Sequence, residues 1–328
     1  MKKIIFSLLL LSGALFASAN TLSFQDENYT GSVIYNETAR PGDAVFARMN
    51  LKISRTLKRK TTADTAAVLV LMRGTKKIDS SPFYFFNQKS KKQVSSEMMA
   101  SIPLSLWTEP DSTYSLKIIF TAGIPPEKEI QLPFSVVQRD FNSEILDLDE
   151  RNSSIKQNMS AERMAQIEKL NAVLETVMPQ DIYSLKPFIR PVKSERMTAY
   201  FGDKRIYKYT NGKSETSYHY GHDYGVPEKT EVYACADGRV VMAEFRISTG
   251  WSIVIEHLPG LYSLYYHLSA LDVQENKIVR QGQTIGLSGA TGLATGPHLH
   301  WEIRLNAAAV SPDFFMNNFT YSSADGQK

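Results

Sequence analysis

The chain has 328 residues, 43% of them hydrophobic, with 37 lysines and arginines against 34 acidic residues and a formal net charge of +3. So small an imbalance gives no support for nucleic-acid binding, and the length suits two domains with cores of their own. Its single cysteine, Cys235, excludes an internal disulfide.

In chain order, Met1-Lys2-Lys3 and the apolar run at 4–16 lead into Ala17-Ser18-Ala19, the small-x-small pattern of a signal-peptidase site. Residues 1–19 read as a secretory signal peptide, too short for a membrane anchor, with cleavage after Ala19. Losing Lys2 and Lys3 takes the formal charge from +3 to +1, and no further apolar span and no lipobox cysteine follow. An exported protein is expected, periplasmic by its short apolar core, otherwise secreted or cell-wall associated.

Residues 20–140 carry short β-branched and aromatic runs between turn signals. Val33-Ile34-Tyr35 precedes Arg40-Pro41-Gly42-Asp43, and apolar and polar residues then alternate over 45–53. Further runs at 66–72, 83–86, 114–120 and 130–137, broken by Gly123 and Pro125-Pro126, predict an immunoglobulin-like β-sandwich. The basic cluster Arg55, Lys58, Arg59 and Lys60 reads as a solvated hairpin tip. Residues 141–186 form a helical linker. Ser160 caps a helix, Glu162 suits its first turn, Met164, Ile167, Leu170, Leu174 and Val177 share a face, and Pro179 ends it. So short an amphipathic helix needs a neighbour to dock on, as a packed connector or a brace.

From 187 to 315 short strands return, at 239–245, 252–256, 262–268, 278–287 and 298–305, punctuated by glycines. This domain is expected to be mainly antiparallel β, followed by a C-terminal tail at 316–328. Cys235, ahead of the Asp237-Gly238 turn, reads as a buried small hydrophobe.

All six histidines fall between 219 and 300. Four lie in His219-Tyr220-Gly221-His222-Asp223 and His298-Leu299-His300; His257 and His267 stand between. On a strand, His298 and His300 project from the same face. Gly221 allows a bend between His219 and Asp223, and the flanking tyrosines argue against a helix there. Two imidazoles and a carboxylate form the ligand set of a catalytic zinc site, with a fourth position left for water.

The HxGxD stretch, Tyr265-Tyr266-His267-Leu268 and Gly296 to Glu302 (GPHLHWE) together resemble the lysostaphin/LytM-type zinc metallopeptidases, which cleave peptides of bacterial peptidoglycan. So do Ala236-Asp237-Gly238-Arg239-Val240-Val241, Gly260-Leu261-Tyr262-Ser263-Leu264-Tyr265, Gln281-Gly282-Gln283-Thr284-Ile285-Gly286 and Gly289-Ala290-Thr291-Gly292. Phe201-Gly202 followed by Arg205 looks like the opening strand and turn. The likeness spans about 190–315; the sandwich and helix look more loosely like the N-terminal half of periplasmic members.

The resemblance implies a C-terminal lysostaphin-type domain holding one Zn2+ on His219, Asp223 and His300. It makes His267 and His298 the pair that polarises water, holds the oxyanion and moves the proton, either of them being the base. It implies a peptidoglycan hydrolase acting on stems or cross-links, endopeptidase ahead of carboxypeptidase. The alternative is a catalytically silent cell-wall scaffold or activator of another hydrolase. A regulatory cell-wall protein is the candidate partner of the N-terminal domain, which with the helix at 160–178 could cover the groove.

His222 reads as structural, and His257 as a turn-stabilising residue or one that supports a ligand from behind. Glu302 either orients His300 or makes a strand-end hydrogen bond. Loops 203–217 and 289–297 are expected as groove walls. Lys229-Thr230-Glu231-Val232, Ser311-Pro312 and Trp301 depart from the family pattern, at scaffold and rim positions that leave the zinc chemistry intact.

Overall fold

Alternation of apolar and polar residues builds the first unit. In the strand Tyr114–Phe120, Tyr114, Leu116, Ile118 and Phe120 are buried while the residues between them are half-exposed. In Ala44–Ile53, Val45, Ala47, Met49 and Leu51 point inward in the same way. The computed structural model describes residues 19–25, 29–53, 67–85, 95–111, 113–120 and 129–318. The leader before Ala19, the basic cluster at 55–60 and the tail beyond 318 lie outside the described residues.

A five-stranded antiparallel sheet runs in the order Ala19–Gln25, Tyr29–Asn36, Ala44–Ile53, Ser95–Pro103, Tyr84–Phe85. A four-stranded sheet runs Glu129–Pro133, Tyr114–Phe120, Ala67–Arg73, Lys76–Pro82. Their inner faces share one apolar cluster, so the unit is a β-sandwich. The strands Lys76–Pro82 and Ser95–Pro103, both rich in Ser and Lys or Met, carry no clear alternation in sequence.

Compact units divide between Arg139 and Asp140. The second opens with a strand, Ser143–Asp147, which pairs parallel with Lys204–Lys208 of a hairpin whose other arm is Ser214–Tyr218. A short helix, Glu150–Lys156, follows; Asp149 caps it by accepting from the Asn152 N–H at 2.7 Å. The expected helix is Ala161–Glu175, with Ser160 accepting from the Arg163 N–H at 3.3 Å. Leu170, Val173 and Leu174 dock it on Met242, Val254, Tyr262, Leu264 and Tyr266 of the main sheet. Burial of Leu174 stabilises by about 1.5–3 kcal/mol, and the part-buried Leu170 and Val173 add to it, which holds a helix of marginal intrinsic stability in place. Val177 lies past the end of this helix and is not part of its stripe.

The main sheet runs Met197–Ala199, Gly221–Tyr224, Leu299–Leu305, Leu261–Leu268, Gly250–Leu258, Gly238–Arg246, Ile278–Val279, with Ala308–Val310 hooked onto Leu299–Leu305. A smaller sheet joins Glu231–Tyr233, Thr284–Leu287 and Ala270–Leu271. The run expected as one strand at 278–287 is broken at Gly282, whose φ of +80° suits only glycine. Gly221 serves close approach rather than a bend. A Cβ there would lie 2.3 Å from the Trp301 carbonyl oxygen, so its absence lets Gly221–Tyr224 seat against Leu299–Leu305.

Cys235 and His257 belong to a buried polar knot away from the cleft described below. His257 Nδ1 donates to the Asp237 carbonyl at 2.8 Å, which ties the Asp237-Gly238 turn, and Ser263 Oγ lies 2.7 Å from Nε2. Burial pushes the Cys235 thiol up to about 12 and the His257 imidazole down to about 4. In the unfolded chain this histidine takes a proton near its ordinary 6.5, whereas in the folded chain it takes one only near 4. Its contribution to stability is therefore complete above about pH 6.5 and is lost as pH falls through that window, by roughly 3 kcal/mol in all. His257→Gln is expected to flatten the pH dependence of the melting temperature between pH 4 and 6.5. An unchanged slope would show that the histidine is protonated in the fold.

Candidate active site

Strand register brings the first two functional groups together. Asp223 sits opposite His300 in the antiparallel pair Gly221–Tyr224 and Leu299–Leu305. His219 precedes the first of these strands and is buried with them. His219 Nε2, Asp223 Oδ1 and His300 Nδ1 form a triangle with edges of 2.7, 2.9 and 3.1 Å. Donor atoms bonded to one small tetrahedral cation stand about 3.3 Å apart, so this triangle is close to the size of a metal site. Among the described residues these three are grouped as able to hold a metal ion.

Tautomers decide what the triangle contains. His219 Nδ1 lies 2.9 Å from the Tyr200 carbonyl oxygen, which can only accept, so this nitrogen carries the proton. His300 Nε2 lies 2.9 Å from Glu302 Oε1 and donates to it. With both rings neutral, the inward nitrogens therefore present lone pairs to each other and to a carboxylate oxygen. Three converging lone pairs demand a cation. Burial opposes an imidazolium at His300, yet Asp223 and then Glu302 outweigh it and raise the group to about 9. Burial likewise opposes the Asp223 anion, and His219 and His300 hold it well below the usual carboxylate range. A metal ion meets the same demand at all three atoms at once.

Each carboxylate in turn is held by an arginine. Glu302 Oε2 accepts from Arg304 Nε at 2.7 Å, and the Tyr266 ring stacks on His300 with centroids 5.5 Å apart. Glu302 thus orients His300. Asp223 Oδ2 accepts from Arg205 Nη2 at 2.7 Å, and Arg205 Nε donates to Glu144 Oε1 at 2.6 Å. Sequence reasoning placed Arg205 only in an opening motif and passed over Glu144 entirely.

Two more histidines face the triangle. His267, next to last in the strand Leu261–Leu268, has φ +63°, a left-handed conformation that costs a non-glycine residue roughly 1–2 kcal/mol. Its Nδ1 donates to the Thr291 carbonyl at 2.8 Å, and His298 Nδ1 donates to the Gly296 carbonyl at 2.8 Å. Nε2 is left unprotonated on both rings. The rings stand 4.7 Å apart, and His298 Nε2 is 3.8 Å from Asp223 Oδ1. Burial, then His298 and His300, lower His267 to about 3; burial also lowers His298. Both are neutral bases at pH 7.

Asp223, His267, His298 and His300 line a cleft of about 280 Å³. Arg205 and Tyr207 of the hairpin and residues 293–298 form walls in the two loop regions expected to do so. Glu144, Leu146 and Leu148, from the segment before the helices, complete the lining. The helix Ala161–Glu175 contributes nothing to the lining and packs on the main sheet as a connector. His222 stays outside the triangle: its Nδ1 accepts from the Phe201 N–H at 3.1 Å, and Nε2 lies 3.2 Å from Asp313 Oδ1. Its role is to tie strand to strand end.

A β unit of three sheets with this buried donor set defines a candidate metal site. Residues 217–312 match the model of peptidase family M23. It is 44% identical over 94 residues to the DD-carboxypeptidase/endopeptidase Mpg of Neisseria meningitidis serogroup B, covering 29% of this chain and 22% of that protein. To the peptidoglycan DD-endopeptidase ShyA of Vibrio cholerae it is 38% identical over 122 residues, 37% of this chain and 28% of that one. The chain thus spans about a quarter of the length of these curated relatives. A solved M23 peptidase chain from Pseudomonas aeruginosa shares the fold, with a TM-score of 0.55 at 21% identity over 86% of this chain and 96% of that one.

Proposed function

We propose that the chain is an exported zinc metallopeptidase that hydrolyses peptide bonds in peptidoglycan, as an endopeptidase on its cross-links. The observation that carries this reading is the convergence of four imidazole lone pairs and one carboxylate in an open cleft. His219, Asp223 and His300 fit a zinc ion by donor chemistry and spacing, leaving a position toward the cleft. A zinc ion held there supplies Lewis acidity, which polarises a carbonyl and acidifies water.

The remaining residues do the proton work. His267 and His298, each with Nδ1 tied to a backbone carbonyl, turn Nε2 toward the reacting atoms. One takes the proton of the attacking water and can hand it to the other, whose imidazolium steadies the oxyanion and delivers that same proton to the leaving amine. Cleft walls from 144–148, 205–207 and 293–298 suit an extended peptide better than a small enclosed ligand. The names of the curated relatives support peptide cross-links of the wall as substrate. The leader-like residues 1–19 support export, and among the described residues no helix is long and apolar enough to cross a membrane. The complete donor set counts against a silent scaffold.

The test uses purified sacculi and the full chain after leader removal. Release of muropeptides, identified by mass spectrometry, should stop with a chelator and return with one equivalent of zinc. Equal release from chelated and reloaded protein, or no release from either, would overturn the reading.

A further inference from the structure

We propose that the strand Ser143–Asp147 completes the active site, with Glu144 acting through Arg205 as a positioning residue for Asp223. The inference rests on the metal-site reading above and adds a residue that lies outside the family-matched stretch at 217–312.

The geometry is specific. Glu144 stands directly opposite Arg205 in the parallel register, as Leu146 stands opposite Tyr207. Strand alternation puts Glu144 and Leu146 on the cleft side and leaves Ile145 turned outward and 55% exposed. Backbone bonds fix both ends: the Lys204 N–H donates to the Asn142 carbonyl at 2.8 Å, and the Leu148 N–H to the Lys208 carbonyl at 2.9 Å. The helix that follows holds the opposite wall, since Arg151 donates to the Gly292 carbonyl at 3.0 Å.

Charge gives Glu144 a task that packing alone would not. Arg205 occupies Asp223 Oδ2, which leaves Oδ1 for the cluster and fixes the carboxylate plane. It also places a buried cation one residue away from a site built for a cation. Its positive charge draws electron density from Asp223 and repels a metal ion. Glu144, at 2.6 Å from Nε, offsets that charge. The ligand carboxylate and the carboxylates bonded to its shell are Asp223, Glu302 and Glu144, and the guanidinium groups among them are Arg205 and Arg304. Three anions against two cations leave one net negative charge for the metal. Removing the Glu144 charge levels the count.

The experiment measures zinc affinity of the full chain by competition with a chromophoric chelator at pH 7. Glu144→Gln keeps a hydrogen-bond acceptor for Arg205 but loses the charge, and is expected to weaken zinc binding by about 10-fold. Glu144→Asp, which restores the charge, should recover most of that loss. In an Arg205→Met background there is no cation to offset, so Glu144→Gln should change affinity less than about 2-fold; coupled neighbours depart from additivity in this way. Zinc binding by Glu144→Gln equal to wild type would overturn the proposal. So would an equal loss with and without Arg205, which would show that Glu144 does not act through the guanidinium. A wild-type chain that takes up no zinc would instead overturn the metal reading, and this inference with it.

Discussion

Asp223→Asn is expected to abolish zinc uptake and to slow hydrolysis of cross-linked muropeptides by on the order of 10³-fold or more. The replacement is isosteric and keeps a carbonyl oxygen, so the strands around it need not move. What it cannot keep is the pairing at both ends of the carboxylate. If the new amide nitrogen takes the Oδ2 position, it meets the Arg205 N–H, donor against donor, at 2.7 Å. If it takes the Oδ1 position, it donates into the lone pairs of His219 and His300, at 3.1 and 2.7 Å, and occupies the donors a metal would use. Either way the only anionic member of the triangle is gone. A Lewis-acid metal contributes several kcal/mol to an acyl-transfer barrier, and each 1.4 kcal/mol is about tenfold in rate. Zinc content by mass spectrometry and product release from sacculi measure the two losses together. Stoichiometric zinc in Asp223→Asn, with a rate within tenfold of wild type, would remove Asp223 from the metal site.

The triangle was legible in the sequence because histidines are rare there and crowd into short motifs; that His219, Asp223 and His300 are the set came from the resemblance those motifs carry, since His300 stands 77 residues from Asp223. Histidines confined to 219–300, with two of them bracketing one leucine, need only strand alternation to share a face. Glu302 was legible for the same reason, two residues along the same strand. The pairing of Arg205 with Asp223 was not, because it crosses from a hairpin to the main sheet and leaves no periodic trace. Glu144 was harder still. It stands in Ser-Glu-Ile-Leu-Asp, a stretch whose parallel pairing with residues 204–208 is set by tertiary contact rather than by any turn between them. The helix Glu150–Lys156 holds one apolar residue in seven, so no stripe announced it. Gly221 drew attention for the wrong reason. A glycine admits both a bend and a close approach, and only the neighbouring strand decides between them.

His267 and His298 offer the sharpest separation between holding the metal and moving the proton. His267→Asn should lower kcat by about 10²- to 10⁴-fold, the usual span for a general acid or base, with zinc content unchanged and KM little affected. Asparagine is the apt replacement because His267 holds a φ of +63° next to last in its strand. Asparagine enters that left-handed region more readily than alanine, so the backbone and the strand end are preserved while the base is lost. His298→Gln should behave alike, since its ring is tied to the Gly296 carbonyl and lies outside the metal triangle. If the two imidazoles work in one proton path, the double variant should be scarcely slower than the slower single one, because residues that act as a unit lose their effect together. Independent roles would instead multiply the two losses. Loss of zinc from His267→Asn in step with its activity would make this histidine a ligand and overturn the division of labour. Retained zinc with full activity would take it out of the chemistry and leave its strained backbone without a catalytic reason.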